Sequence, residues 1–242
     1  MTQPLYVIGD IHGEIAMLDT ALDRIAADGG ADAPMISLGD LVDRGPGSRA
    51  VIDTFLQGQA AGRDWTVLKG NHDRMFHRYL EDGGITDPRV VSKVDWLNPR
   101  LGGLATLASY GVDADPDRDP CARLAAARAA VPAAHLAFLQ GLKLTHIRDN
   151  ILFVHAGIAP GVALDQQAED DLLWIRDPFL THTDPHPMLV VHGHTALDAP
   201  AHYGNRINLD SGAGYGRPLT VAVFEDGRVW TLQPDGRRPL TP

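Results

Sequence analysis

Short apolar runs alternate with helical spacings through the first half of the chain. Leu5-Tyr6-Val7-Ile8 reads as a buried strand, and Ile15, Leu18, Leu22 and Ile25 recur at the spacing of one helix face. Met35-Ile36-Ser37-Leu38 predicts a second strand, with Val51, Ile52 and Phe55 opening the helix after it. Trp65-Thr66-Val67-Leu68 predicts a third strand, followed by a helix carrying Met75, Phe76 and Tyr79. This alternation predicts an α/β fold with parallel strands joined by helical crossovers.

The rhythm breaks across residues 82–120, which Gly83-Gly84, Pro88, Pro99, Gly102-Gly103 and Asp115-Pro116 punctuate. The segment reads as an inserted, partly helical cap within one domain spanning residues 1–242. Residues 119–141 are alanine-rich and helical, with a break near Pro132. Ile151-Leu152-Phe153-Val154 and Met188-Leu189-Val190-Val191 predict two more strands. From about residue 200 to 233, short β-rich runs separated by turns at Tyr203-Gly204-Asn205 and Asp226-Gly227 predict an antiparallel tail.

Chemistry enters at the ends of the strands. Each of the five strongest apolar runs leads into metal-type residues: Gly9-Asp10-Ile11-His12-Gly13, Gly39-Asp40-Leu41-Val42-Asp43-Arg44-Gly45, Gly70-Asn71-His72-Asp73, His155-Ala156-Gly157 and His192-Gly193-His194-Thr195. In open α/β sheets ligands bind outside the carboxyl ends of the strands, so five such loops can converge on one site. Asp10 and His12 are two apart, and an extended segment points both side chains the same way. Alone, Asp10-x-His12 reads as turn chemistry. Five loops of this kind in order do not.

The donors are carboxylate, amide and imidazole without thiolate, a set that favours manganese, iron or zinc over a closed structural zinc site. Asp40 is the candidate bridge. Two ions about 3.5–4 Å apart suit hydrolysis of a phosphoester.

Composition narrows the partners. The 242 residues carry a net charge of −10 and no Lys/Arg-rich run, which argues against nucleic acid and anionic membranes as partners. The one cysteine, Cys121, cannot form an internal disulfide, and a reducing cytoplasm is the expected location. Met1 to Pro4 lead straight into the first strand without the pattern of a signal peptide, and no apolar run approaches a membrane span.

The five motifs resemble those of the calcineurin-like metallophosphoesterases, specifically the phosphoprotein phosphatase branch and its bacterial serine/threonine phosphatases. Asp171-Leu-Leu-Trp-Ile-Arg176 resembles a segment of the bacterial members. The resemblance implies two packed mixed β-sheets flanked by helices. It also implies roles: Asp10 and His12 hold one metal, Asn71, His155 and His194 hold the other, and Asp40 bridges both.

By the same resemblance His72 is the general acid that protonates the leaving oxygen, Asp43 orients it, and Arg44 and Arg176 clamp the phosphate. A hydroxide between two divalent ions, manganese first among them, would attack phosphorus in line. The implied substrate is phosphoserine or phosphothreonine in a protein or peptide, or a small phosphoester.

Symmetrical dinucleoside tetraphosphatases share the same motifs and the Gly45-Pro46-Gly47-Ser48 stretch, so that substrate is the alternative. Their second motif usually lacks the aspartate found here at Asp43. A metal-binding scaffold without catalysis is a further alternative. For Arg44, a loop ion pair with Asp73 is a second reading, one compatible with the phosphate role. His192 reads as a strand-end residue rather than a ligand. Tyr215, in Gly212-Ala213-Gly214-Tyr215-Gly216, belongs either to a mobile turn or to a loop over the metals.

Overall fold

The computed structural model describes residues 3–242; Met1 and Thr2, on which the reading of the amino terminus rests in part, lie outside the described residues. Two sheets form the centre. The first has the order β11-β10-β9-β1-β2-β3, from Gly236–Pro239, Arg228–Gln233, Val221–Glu225, Leu5–Ile8, Met35–Ser37 and Trp65–Val67. The second has the order β4-β5-β6-β8-β7, from Thr145–Arg148, Ile151–Val154, Leu189–His192, Arg206–Asn208 and Ala201–His202. β1, β2 and β3 run parallel, as do β5, β6 and β8, and antiparallel strands finish the edges.

The period-2 geometry of the strands divides their side chains between two cores. Leu5 and Val7 face inward with Ile36, Leu38, Phe153, Val191, Ile207 and Phe224, filling the space between the sheets. Tyr6 and Ile8 face outward, against α1 (Ile15–Gly29), α2 (Ser48–Ala60) and α3 (Asn71–Asp82). The outer face of the second sheet, including Leu152, Val154 and Val190, packs against Leu172 and Ile175 at α7 (Glu169–Trp174). This is the expected α/β arrangement of two mixed sheets flanked by helices.

Several boundaries differ from the sequence reading. β4 and β11 carry too many polar residues to show an apolar run. The helix expected from Val51 begins at Ser48. Residues 119–141, by contrast, are helical with the expected break at Pro132, as α5 (Pro120–Ala130) and α6 (Ala133–Gly141). Asp119 caps α5 by accepting the Ala122 N–H at 2.7 Å, with Pro120 in the first turn where its missing donor costs nothing.

The tail is not antiparallel throughout. β7 and β8 form the expected turn pair, but β8 lies parallel to β6, with Val191 opposite Ile207. Its carboxyl end therefore points the same way as those of β5 and β6. Residues 82–120 contain one short helix, α4 (Gly103–Ser109). They also bury Val90, Trp96, Leu107, Tyr110 and Val112 in the same core as α1 to α3. No helix of the described residues is long and apolar enough to cross a membrane.

Candidate active site

Six parallel strands deliver their carboxyl ends to one crater. β1 leads to Asp10 and His12, β2 to Asp40, Asp43 and Arg44, and β3 to Asn71 and His72 at the start of α3. β5 leads to His155, β6 to His194, and β8 to Asp210. The turns are sharp. Among the described residues nine non-glycine residues have positive φ, and five of them are His12, Asp40, Asp43, Arg44 and His194. Such conformations cost on the order of 1–3 kcal/mol each and persist where the surroundings hold them. Close approach also selects glycine: a side chain at Gly193 would run into the Asp10 carboxylate.

Asp10, His12, Asp40, Asn71, His72 and His155 are all buried. Their atoms form two overlapping clusters, His12–Asp40–His72 and Asp40–His155–His194, with donor atoms within 4.8 Å of one another in each. Asp40 is common to both. Its Oδ2 lies 3.5 Å from His12 Nε2 and its Oδ1 lies 3.5 Å from His155 Nε2.

The proton inventory of these residues fits cations. His12 Nδ1–H donates to the Val42 carbonyl at 3.1 Å, and His155 Nδ1–H donates to the Leu38 carbonyl at 2.9 Å. Each Nε2 is then a lone pair turned into the crater. His155 Nε2 faces Asn71 Oδ1 at 3.0 Å, so two acceptors meet with no proton between them. Asp10 Oδ1 and His194 Nε2 are buried without a hydrogen-bond partner. Burial, reinforced by Asp210 and Asp40, pushes the Asp10 carboxyl well above the usual range. Burial and nearby cationic groups push His12 and His194 well below theirs. Neutral imidazoles beside crowded carboxylates are the state in which these groups ligate a metal.

Beside the clusters stands a buried pair. His72 Nδ1–H donates to Asp43 Oδ2 at 2.6 Å. The same oxygen accepts Trp96 Nε1–H at 2.8 Å, and Asp43 Oδ1 accepts the Thr106 hydroxyl at 2.6 Å. Burial raises the Asp43 carboxyl to about 7, while the Thr106 and Trp96 hydrogen bonds oppose the rise. Burial lowers His72 to about 3. His72 Nε2 is left facing the crater, where it accepts from Arg44 at 3.2 Å. Arg44 also contacts His12 Nε2 and stacks its guanidinium 4.7 Å from the centre of the Tyr215 ring.

Trp96 and Thr106 belong to the 82–120 segment, so that segment helps hold the Asp43–His72 pair. Trp96→Phe keeps the aromatic packing and removes one donor to the carboxylate. A hydrogen bond to a charged group contributes about 1.5–3 kcal/mol. We expect kcat to fall by roughly ten-fold or more with KM little changed, measured on a small phosphate monoester. An unchanged kcat would show that Asp43 is held adequately by Thr106 alone.

A cavity of about 1000 Å³ opens above these groups. Arg44, Arg176 and Tyr215 line it, with Arg176 exposed. Tyr215 is exposed on the wall of the crater. His192 is fully buried at the end of β6, its ring edge against Phe179, and belongs to neither donor cluster. Asp73 does not pair with Arg44: its carboxylate accepts the Gly70 and Leu41 N–H groups at 2.8 and 3.0 Å.

The sequence does not single out Asp210, because the turn before β8 announces an antiparallel pair while the strand also lies parallel to β6. It is buried, lines the cavity and accepts the Gly212 N–H at 2.8 Å. The signal available is Ile207-Asn208-Leu209-Asp210-Ser211-Gly212, alternating apolar positions that lead to a carboxylate and then a glycine.

Two packed mixed sheets with a crater of Asp, Asn and His donors at their parallel strand ends place the chain among α/β metal-dependent phosphoesterases. The model of the calcineurin-like phosphoesterase family matches residues 3–225, and the chain belongs to that family. It is 29% identical over 170 residues to a symmetrical bis(5'-nucleosyl)-tetraphosphatase of Janthinobacterium sp., covering 68% of this chain and 49% of that protein. It is 36% identical over 94 residues to serine/threonine-protein phosphatase 2 of Escherichia coli, covering 38% of this chain and 39% of that protein. The chain thus spans less than half the length of these two relatives.

A match to the asymmetrical bis(5'-nucleosyl)-tetraphosphatase of Bacillus velezensis is longer: 27% identity over 94% of this chain and 91% of that protein. Among solved structures, a candidate diadenosine tetraphosphatase shares the fold, with a TM-score of 0.67 at 22% identity over 100% of this chain and 95% of that one.

Proposed function

We propose that the chain is a metal-dependent phosphomonoesterase that acts on phosphoserine and phosphothreonine in proteins. Asp10, His12 and Asp40 would hold one divalent ion, and Asp40, Asn71, His155 and His194 the other. The oxygen and nitrogen donor set suits manganese first, then iron or zinc. Bound, such ions supply Lewis acidity, polarising the phosphoryl oxygens and acidifying the attacking water.

The observation that supports this substrate is the buried Asp43–His72 pair. A serine or threonine alkoxide is a strongly basic leaving group and needs a proton as the P–O bond breaks. A phosphoanhydride leaves as a far weaker base and needs that proton less. His72 Nε2 faces the crater while Nδ1 is fixed on Asp43, so the imidazole is oriented to deliver a proton at Nε2. A phosphate dianion in the crater raises the His72 pKa, opposing the effect of burial. Arg44 and Arg176 would bind the equatorial oxygens; the planar guanidinium suits two oxygens at once. The exposed thiol of Cys121 suits a reducing compartment such as the cytoplasm.

A second reading, hydrolysis of dinucleoside tetraphosphates, draws support from the Bacillus velezensis relative, which matches nearly end to end. One experiment separates the readings. Metals are stripped with a chelator, single ions are restored, and turnover is followed on an aryl phosphate, a phosphopeptide panel and diadenosine tetraphosphate. We expect activity to vanish, to return best with manganese, and to extend to phosphopeptides. Preference for the dinucleotide would overturn the protein substrate, and no turnover with any ion would leave only a metal-binding scaffold.

A further inference from the structure

The cavity carries more guanidinium groups than one phosphoryl group can use. Arg44, Arg89, Arg100, Arg176 and Arg217 all line it, in a chain whose net charge is −10. A phosphate monoester presents three terminal oxygens, which in the reading above would be met by the metals and by Arg44 and Arg176. Arg89, Arg100 and Arg217 are then in excess of what one phosphoryl group requires and are available to other acidic groups of a substrate.

Their local partners are weak. Arg89 meets Asp171 at 3.4 Å, and Arg217 meets Asp198, whose side chain is 98% exposed. Exposed pairs of this kind contribute little, about 0–1 kcal/mol. Arg100 is exposed and makes no side-chain ion pair among the described residues. Arg89 and Arg100 come from the 82–120 segment, which also lines the cavity with the apolar side chains of Val91 (88% exposed) and Leu101. Arg217 comes from the loop after β8. Two separate loops therefore bring cationic groups to the mouth of one crater, against the overall charge of the molecule.

We propose that Arg89, Arg100 and Arg217 form a subsite for acidic side chains flanking the phosphorylated residue, so that the enzyme selects phosphopeptides in acidic contexts. This rests on the protein-phosphatase reading above. Charge complementarity at an open rim acts on encounter and selectivity, and salt screens it.

The test uses the metal-loaded 242-residue chain and phosphoserine peptides that differ only in flanking residues, Asp/Glu in one set and Lys in the other. We expect kcat/KM to favour the acidic set by about ten-fold at low salt and the preference to shrink in high salt. The double variant Arg89→Glu, Arg100→Glu should lose or reverse the preference while hydrolysing a small aryl phosphate at the wild-type rate. Phosphopeptide turnover without flank preference would overturn the subsite and leave the proposed function standing. Failure on every phosphopeptide, with turnover of diadenosine tetraphosphate, would overturn both.

Discussion

Replacing Asp40 by Asn is expected to lower turnover by more than the ~10²–10⁴-fold that loss of a general acid costs, and to release both metal ions. Asp40 is the residue shared by the two donor clusters, with one oxygen toward His12 and the other toward His155. Asn keeps the size and one oxygen, so the His72 N–H that Oδ1 accepts at 3.0 Å can stay paired. The negative charge and the second oxygen are lost together.

The metal-free fold should not suffer. Asp40 acts on Asp10 and Asp210 as a like charge, raising both carboxyls. Removing it relieves repulsion among buried carboxylates, and the metal-free variant should melt at or above the wild-type temperature. Metal content by elemental analysis, thermal melting without metal and turnover on an aryl phosphate check the three statements. A variant that keeps two ions per chain and most of its activity would show that Asp40 does not bridge them.

The sequence revealed most of this site because its loops follow a repeated local grammar. An apolar strand, a glycine and a donor residue recur, and parallel sheets carry that pattern to one edge. Asp10, His12, Asp40, Asn71, His72, His155 and His194 were legible for that reason, and the structure brings them together. The sixth loop was not legible. Strand β8 turns back from β7 across Tyr203-Gly204-Asn205, and a turn pair advertises antiparallel pairing. Its parallel pairing with β6 is a contact between segments distant in sequence, which no local spacing encodes. Asp210 and Arg217 follow from that strand, as does Tyr215, whose glycine-rich loop is the one part of this region that the sequence marks.

The 82–120 segment shows the same limit from the other side. Its glycines and prolines announce irregular backbone correctly. They say nothing about Trp96 and Thr106, whose importance lies in reaching Asp43 across 53 and 63 residues of chain.

Replacing His72 by Ala has the second largest expected effect, and its size should depend on the leaving group. His72 is in reach of His12 and Asp40 as a third donor, so geometry alone allows it to be a ligand. Its Nδ1 is committed to Asp43 and its Nε2 is turned toward Arg44. That favours proton delivery over ligation. If His72 delivers the proton, the Ala variant should lose ~10²–10⁴-fold on phosphoserine peptides or alkyl phosphates. It should lose far less on an aryl phosphate with an acidic phenol, because that leaving group departs without a proton.

Metal content should stay near two ions per chain. Asp43→Asn should follow the same pattern to a smaller degree, since it weakens the partner of Nδ1 and leaves Nε2 in place. A ligand role predicts the opposite signature: loss of metal, with equal damage on both substrates whatever their leaving group. The ratio of the two losses, measured at saturating metal, therefore decides between a proton donor and a ligand.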